Sequence, residues 1–495
     1  MLPTSFKNKV LSSGLLFVLF AEIFNILLIS PMQAATISTF LHTANHQQLL
    51  KFSREITSAE LAHFLSVRHP PSANFGPFSS SFTPDANHDF LAELTAHNQR
   101  LFLPYFKATS PADKLDKIIA KKIGAMTTFA GQFATNITDD SLATANKIVN
   151  ATFILWMYFY DDEITKLTHH LQSSADTARE LTNEALRQAN AYMMTVFALG
   201  LSGQEKIPAF SLSKITESSL TPLIKNHLEG LVALSTPLYE TAKMLRDICF
   251  NPAVVKNDTA AFAHALSLYL ESLLEQATSA PATPHDYLER HLHSGGVISC
   301  FNLAILLSSW HHKTSIAATI PAKDQDKIAA FFTASNLLVL KINDAMWGKD
   351  IGQPEELYYA TLLGYALAQS KELKEHHPFD LTKAQGHGEI IAHYGGSKLG
   401  FTAMQELAHQ ISVDFQTVIN LGEELTTSAT NKSLALIYSQ SILHWIVGYH
   451  FLNPISTRYG TSFRLYLDAL RGDALSYEAE FKKLKAASSF VHFGN

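Results

Sequence analysis

The 495-residue chain has only two cysteines, Cys249 and Cys300, too few and too far apart for a zinc-binding spacing or a disulfide framework. They carry no information about compartment. Charge is scarce as well: charged residues make up 17%, the net charge is −6, and no block of Lys or Arg could neutralise a run of phosphates. Nucleic acid is therefore not an expected partner. The short Val/Ile/Thr alternations that strands need are missing, and so are internal repeats and heptad arrays. Their absence removes β, solenoid and coiled-coil architectures. Greasy side chains, by contrast, are abundant. Hydrophobic residues reach 47% and Phe alone holds 32 positions, so a large aromatic core can be buried.

From about residue 90 onward apolar residues recur at i, i+3, i+4 and i+7, which predicts an all-α fold. Three regions are expected: an apolar N-terminal segment (1–35), an irregular linker (36–89) containing Pro70, Pro71, Pro84 and Ser79-Ser80-Ser81, and a helical domain (90–490). In the first, Lys7 and Lys9 precede an apolar run from Leu11 to Ile29, and small residues follow at Ala34-Ala35, the order of a secretory signal or an anchor. Glu22 and Asn25 interrupt that run, and a charge near the centre of a spanning helix costs about 2.5–3.5 kcal/mol. A cytoplasmic extension that touches the membrane is the alternative. Asp139-Asp140-Ser141 opens a long helix whose apolar residues continue to Tyr160. Further helices are expected near 172–199, 215–248, 256–278, 285–310, 322–350, 355–372, 387–426, 430–451 and 461–488, with a break at Gly295-Gly296.

Four segments could carry chemistry. In Trp156-Met157-Tyr158-Phe159-Tyr160-Asp161-Asp162-Glu163-Ile164-Thr165, three acids follow directly on an aromatic helix, and Asp161 shares a face with Met157, Ile154 and Phe153. Carboxylates at the rim of an apolar cleft suit Mg²⁺, which takes hard oxygen ligands alongside substrate phosphates. Read alone, the three acids are an ordinary helix end meeting solvent. The second segment, Glu289-Arg290-His291-Leu292-His293-Ser294-Gly295-Gly296, sets an arginine before a helix break. A guanidinium fork matches phosphate oxygens. The third runs from Lys341 through Asn343-Asp344, Trp347 and Lys349-Asp350 to Ile351, and the fourth from Trp445 and Gly448 through Asn453-Pro454 to Arg458-Tyr459.

In type, order and spacing these segments resemble those of the bacterial class I terpene synthases. That family has an aspartate-rich motif, DDxxD or DDxxE, then a diphosphate-sensing arginine at a helix break, then a second metal motif NDxxSxxxE, and finally an Arg-Tyr pair. The resemblance covers roughly residues 85–475 and implies a helical bundle around a central active-site cavity. Three Mg²⁺ ions would be held by Asp161, Asp162, Asn343 and Asp350, and an isoprenyl diphosphate, with farnesyl diphosphate expected, by Arg290, Lys349, Arg458 and Tyr459. Asp161, Arg290, Arg458 and Tyr459 would carry the catalytic roles. The departures are Thr165 where the family has an acid, Trp347 at the Ser position and Ile351 at the Glu position, with Asp350 one residue early.

The implied reaction is ionisation of the linear diphosphate followed by cyclisation to a terpene. Phe153, Trp156, Trp310 and Phe332 are candidates to face the cation, with core packing as the ordinary role of each. A chain-elongating prenyl synthase is the alternative within the fold, although the region around Asn343 has no second DDxxD; no DxDD is present for a protonation-initiated cyclase. A degenerate binding protein of the same fold is the alternative outside catalysis. A homodimer stays open, membrane association would run through residues 1–35, and a cytoplasmic location is expected because isoprenoid diphosphate is made inside the cell.

Overall fold

The computed structural model describes residues 88–119, 122–123, 140–172, 176–212, 221–248, 252–278, 291–316, 321–345, 362–371, 373, 387–452 and 460–489. The N-terminal apolar segment and nearly all of the linker lie outside these. Among the described residues the chain is helical throughout its regular structure and has no strand, as the 3.6-residue periodicity predicts. None of the helices among them is long and apolar enough to cross a membrane.

The first half holds α1 (His88–Thr109), α2 (Asp140–Gln172), α3 (Asp176–Ser202), α4 (Pro222–Ala233), α5 (Ser235–Ile248) and α6 (Pro252–Thr278). The second half holds α7 (Val297–His311), α8 (Gln325–Ala345), α9 (Leu362–Gln369), α10 (His387–Tyr394), α11 (Lys398–Ser428), α12 (Lys432–Leu452), α13 (Gly460–Arg471) and α14 (Ala474–Ser489). Within the first half α5 packs on α3, α4 on α1, and α2 against α4, α5 and α6; within the second, α11 is the hub for α8, α12 and α13. The post-break helix α7 joins the halves. It packs on α6 and α2 to one side and on α12 and α8 to the other. One continuous apolar cluster runs from Phe102 through Trp156, Phe301 and Trp445 to Phe481.

Three expected helices are divided. The 215–248 window breaks at Leu234, whose N–H reaches back to the carbonyls of Gly230 and Leu231. The 387–426 window breaks at Gly395-Gly396, after which Ser397 caps α11 by accepting from the Gly400 N–H at 3.3 Å. The 461–488 window breaks at Gly472, whose φ of +76° belongs to the left-handed region that ends helices.

The larger correction concerns α2. Its apolar run stops at Tyr160, but the helix continues for twelve residues to Gln172. Asp161, Asp162 and Glu163 are therefore helix-interior residues. They do not mark a helix end.

Candidate functional site at the glycine break

The helical turn at His291–Ser294 stops at Gly295-Gly296, and α7 begins at Val297. Gly296 has φ +71°, a conformation that costs an L side chain energy, and a Cβ there would fall 1.9 Å from Met157 Cε. At Gly295 a Cβ would fall 2.3 Å from Leu340 Cδ2. The break is thus wedged between Met157 of α2 and Leu340 of α8, and a side chain at either glycine would require a neighbour to shift. Tyr269 of α6 donates to the Met157 carbonyl at 2.9 Å, and Cys300 of α7 meets the Met157 sulfur at 3.9 Å, so α2 is fixed against the break from two sides. On α8, Asn336 donates to the Leu292 carbonyl at 3.4 Å.

Two of the sequence-predicted residues follow the two flanks of this wedge along their own helices. Asp161 lies one turn beyond Met157 and about 40° around α2; Asn343 lies just under a turn beyond Leu340 and about 60° around α8. Both are half-buried. Two residues before Asn343, Lys341 pairs with Asp414 of α11 at 2.5 Å inside the protein, which anchors this stretch of α8. Arg290, Lys349, Asp350, Arg458 and Tyr459 lie outside the described residues, as do Trp347 and Ile351; Thr165 is helical, with its side chain outside the description. Among the described residues no group of three His, Cys, Asp or Glu side chains is arranged to hold a metal.

The other two acids behave differently from Asp161. Asp162 Oδ2 lies 2.8 Å from Lys166 Nζ and 3.8 Å from Lys122 Nζ. Glu163 is fully buried, 0% exposed, at about 120° from Met157 on the opposite flank of α2. Tyr105 of α1 donates to its Oε1 at 2.8 Å, Lys166 donates to the same oxygen at 2.8 Å, and His227 Nδ1 of α4 stands 2.8 Å from Oε2. An ionised carboxylate only accepts, so Nδ1 carries the proton in that contact. Burial pushes the Glu163 carboxyl upward, but the His227 hydrogen bond, the Lys166 charge and bond, and the Tyr105 bond outweigh it and hold it at about 2. The same set raises Lys166, where Asp162 and then Glu163 overcome burial. Gly230 of α4 completes the enclosure: a Cβ there would sit 3.4 Å from Glu163 Oε2.

Sequence reasoning missed this buried carboxylate. Its partners Tyr105 and His227 stand 58 and 64 residues away, out of reach of any local pattern; only Lys166, at i+3 from Glu163 and i+4 from Asp162, was a readable signal.

The candidate aromatics divide in the same way. Phe153 stacks on Trp156 and meets Phe262 edge-on, while Trp156 stacks on Tyr160 and meets Tyr269, so both are core residues with no exposed face. Phe332 of α8 and Trp310 of α7 are half-buried, and Phe332 packs edge-on against Phe301 of α7. His291, at the start of the break segment, is buried, hydrogen bonds through Nδ1 with Ser294 Oγ at 3.2 Å, and is pushed by burial down to about 4. It is a neutral imidazole at neutral pH. The sequence matches no protein-family model, and no curated protein matches it.

Proposed function

We propose that the chain is a class I terpene synthase that ionises a linear isoprenyl diphosphate, farnesyl diphosphate by expectation, and steers the cation to a terpene. The observation that supports this most is the Gly295-Gly296 break wedged between Met157 and Leu340, which sets the helix of Asp161 and the helix of Asn343 on either side of one interruption. A helix break presents backbone carbonyls, which stabilise positive charge without a side chain that the cation could alkylate.

In this reading Asp161, Asn343 and Asp350 are the oxygen donors for Mg²⁺, whose charge, when bound, draws electron density from the leaving oxygen. Asp161 and Asn343 suit that ion by donor type. Asp162 suits it less, because an ammonium already lies on its carboxylate. Arg290, Lys349, Arg458 and Tyr459 hold the diphosphate, the arginines through planar forks. Phe332 offers an aromatic face worth about 0.5–2 kcal/mol to a cation once water is excluded. A cytoplasmic location, with residues 1–35 outside the catalytic unit, belongs to the same proposal.

One observation favours a second reading, a helical binding protein without turnover: Asp162 and Glu163 are both engaged by Lys166. Incubation of the full chain with geranyl, farnesyl and geranylgeranyl diphosphates and Mg²⁺ separates the two. Volatile terpenes with equimolar released diphosphate are the expected result. Saturable substrate binding with no released diphosphate would establish the binding protein instead, and, in a parallel incubation that also contains isopentenyl diphosphate as the five-carbon acceptor, longer diphosphates would indicate chain elongation.

A further inference from the structure

One face of α8 turns polar where it meets the break. Phe332, Thr333, Asn336 and Leu340 fall within an arc of about 100° on that helix. Phe332 packs on Phe301 of α7, Asn336 reaches the Leu292 carbonyl, and Leu340 lies against Gly295, so the arc is aimed at α7 and the break. Two of its oxygens are left over. Thr333 Oγ1 and Asn336 Oδ1 are buried, their residues 4% and 0% exposed, and neither has a hydrogen-bond partner among the described residues. A helical threonine ordinarily returns its hydroxyl to the carbonyl one turn back, as Thr417 and Thr426 of α11 do; Thr333 does not. The orientation of Asn336 is fixed chemically, because the Leu292 carbonyl only accepts and is therefore met by Nδ2, which leaves Oδ1 in need of a donor. Buried polar groups are nearly always satisfied, so two such oxygens within one turn of one helix point to a bound molecule.

The chemistry of that molecule is narrow. Asn336 Oδ1 takes only a donor, whereas an ionised diphosphate offers acceptors and an isoprenoid chain offers neither. Water donates twice and accepts, and side chains at i and i+3 stand about 5–6 Å apart at Cβ, a gap that one water closes. Resting on the terpene synthase reading, we propose that Thr333 and Asn336 hold a water beside Phe332, the aromatic face assigned there to the cation, and that this water ends the reaction. Its oxygen lone pair forms a C–O bond to the cation, its proton passes to the released diphosphate, and the product is a terpene alcohol in place of a hydrocarbon.

Two measurements on the full-length chain test this, the first without turnover. Thr333→Val removes the hydroxyl at nearly constant shape. If the oxygen holds water, the variant loses that bond and its urea midpoint falls; in a dry core the same change removes an unsatisfied hydroxyl and the midpoint rises. A higher midpoint would therefore overturn the water site. The second measurement is product analysis with farnesyl diphosphate and Mg²⁺ in water labelled with heavy oxygen. Wild type is expected to release a terpene alcohol carrying the label, and Thr333→Val to lower the alcohol's share of the products about tenfold in favour of hydrocarbon. Thr333→Ser, which keeps the hydroxyl, should restore that share. The share is a partition ratio, which a slower or less stable enzyme does not alter. Hydrocarbon alone from wild type, or an unchanged share in Thr333→Val, overturns the quenching role while the functional reading stands. Should Thr333→Val not fold, Asn336→Ala carries the same product test. If no form releases diphosphate, the functional reading falls and the quench with it, and the urea midpoints still decide whether the pair holds water.

Discussion

Asp161 and Glu163 stand two residues apart on one helix, carry the same functional group and live in opposite surroundings. Glu163 faces α1 and α4, where Tyr105, His227 and Lys166 saturate it. Asp161, half-buried, lies on the flank that leads to the glycine break, where Met157 of α2 meets Gly296 and Cys300. A helix rotates its side chains by about 100° per residue, so two positions are enough to separate a buried structural carboxylate from one on the opposite flank, to which the proposed function gives a metal. Proximity in sequence therefore says little about shared role. The acidic triplet is two sites joined by a lysine.

The comparison is broken most forcefully on the Asp161 side. Asp161→Ala is expected to lower turnover by about a hundredfold or more, because a group that supports the departing diphosphate acts chiefly in the transition state. Its unfolding free energy should stay within about 0.5 kcal/mol of wild type, as for a partly exposed side chain outside the core. Steady-state kinetics beside urea denaturation checks both, and wild-type turnover would end the division of roles.

On the Glu163 side the effect should appear in stability. Glu163→Gln is expected to cost about 2–3 kcal/mol, below the usual range for a broken buried pair because Lys166 is about one-third exposed and keeps Asp162. Protonation does the same work as mutation. The folded carboxyl titrates at about 2 against 4.5 unfolded, so its contribution, about 3 kcal/mol, is fully present above pH 4.5 and is lost as the pH falls toward 2. Denaturation midpoints measured between pH 6 and 3 should decline in wild type and decline less in Glu163→Gln.

Between the two faces stands Gly296, and Gly296→Ala tests whether the break is needed as built. The methyl group must adopt a left-handed φ of +71° and displace Met157 Cε, at a combined cost of about 1–3 kcal/mol. Because Met157 is one turn before Asp161, any shift of α2 that relieves the clash also moves Asp161. Loss of activity together with this destabilisation is expected; full activity in a destabilised protein would separate the break from the site.

What was legible in the sequence follows the same line between local and distant. Helix class, the start of α2 at Asp140 and the Gly295-Gly296 break rest on periodicity, capping chemistry and glycine, all readable within a few residues. The division at Leu234 is signalled by Pro237, three residues on, which the expected 215–248 window runs through, and the end of α2 was misplaced because acids after an apolar run look like arrival at solvent. The burial of Glu163 depends on α1 and α4 folding over it. That is a tertiary fact, and a lysine at i+3 was its sole local trace. Of the candidate site, the glycine break is announced by the sequence, but that Met157 and Leu340 meet it depends on the packing of α7 against α2 and α8.

Tyr105→Phe, the mildest change, sharpens the comparison further. The ring remains in its aromatic nest against Phe106 and Phe159, so packing is preserved and only the hydroxyl is removed. Glu163 Oε1 keeps Lys166 and loses one donor, and a hydrogen bond to a charged acceptor is worth about 1.5–3 kcal/mol. The expected cost is near 1 kcal/mol, below that range, because Lys166 shares the same oxygen and can tighten on it. With one lowering influence gone, the Glu163 carboxyl rises from about 2, so the acid loss of stability starts near 4.5 as in wild type but is smaller and is complete at a higher pH. Mn²⁺ binding and turnover should not move, since neither Asp161 nor the break touches the Tyr105 hydroxyl. If Tyr105→Phe instead weakened Mn²⁺ binding, the two flanks of α2 would be coupled through Lys166, and the carboxylates two residues apart would have to be treated as one site.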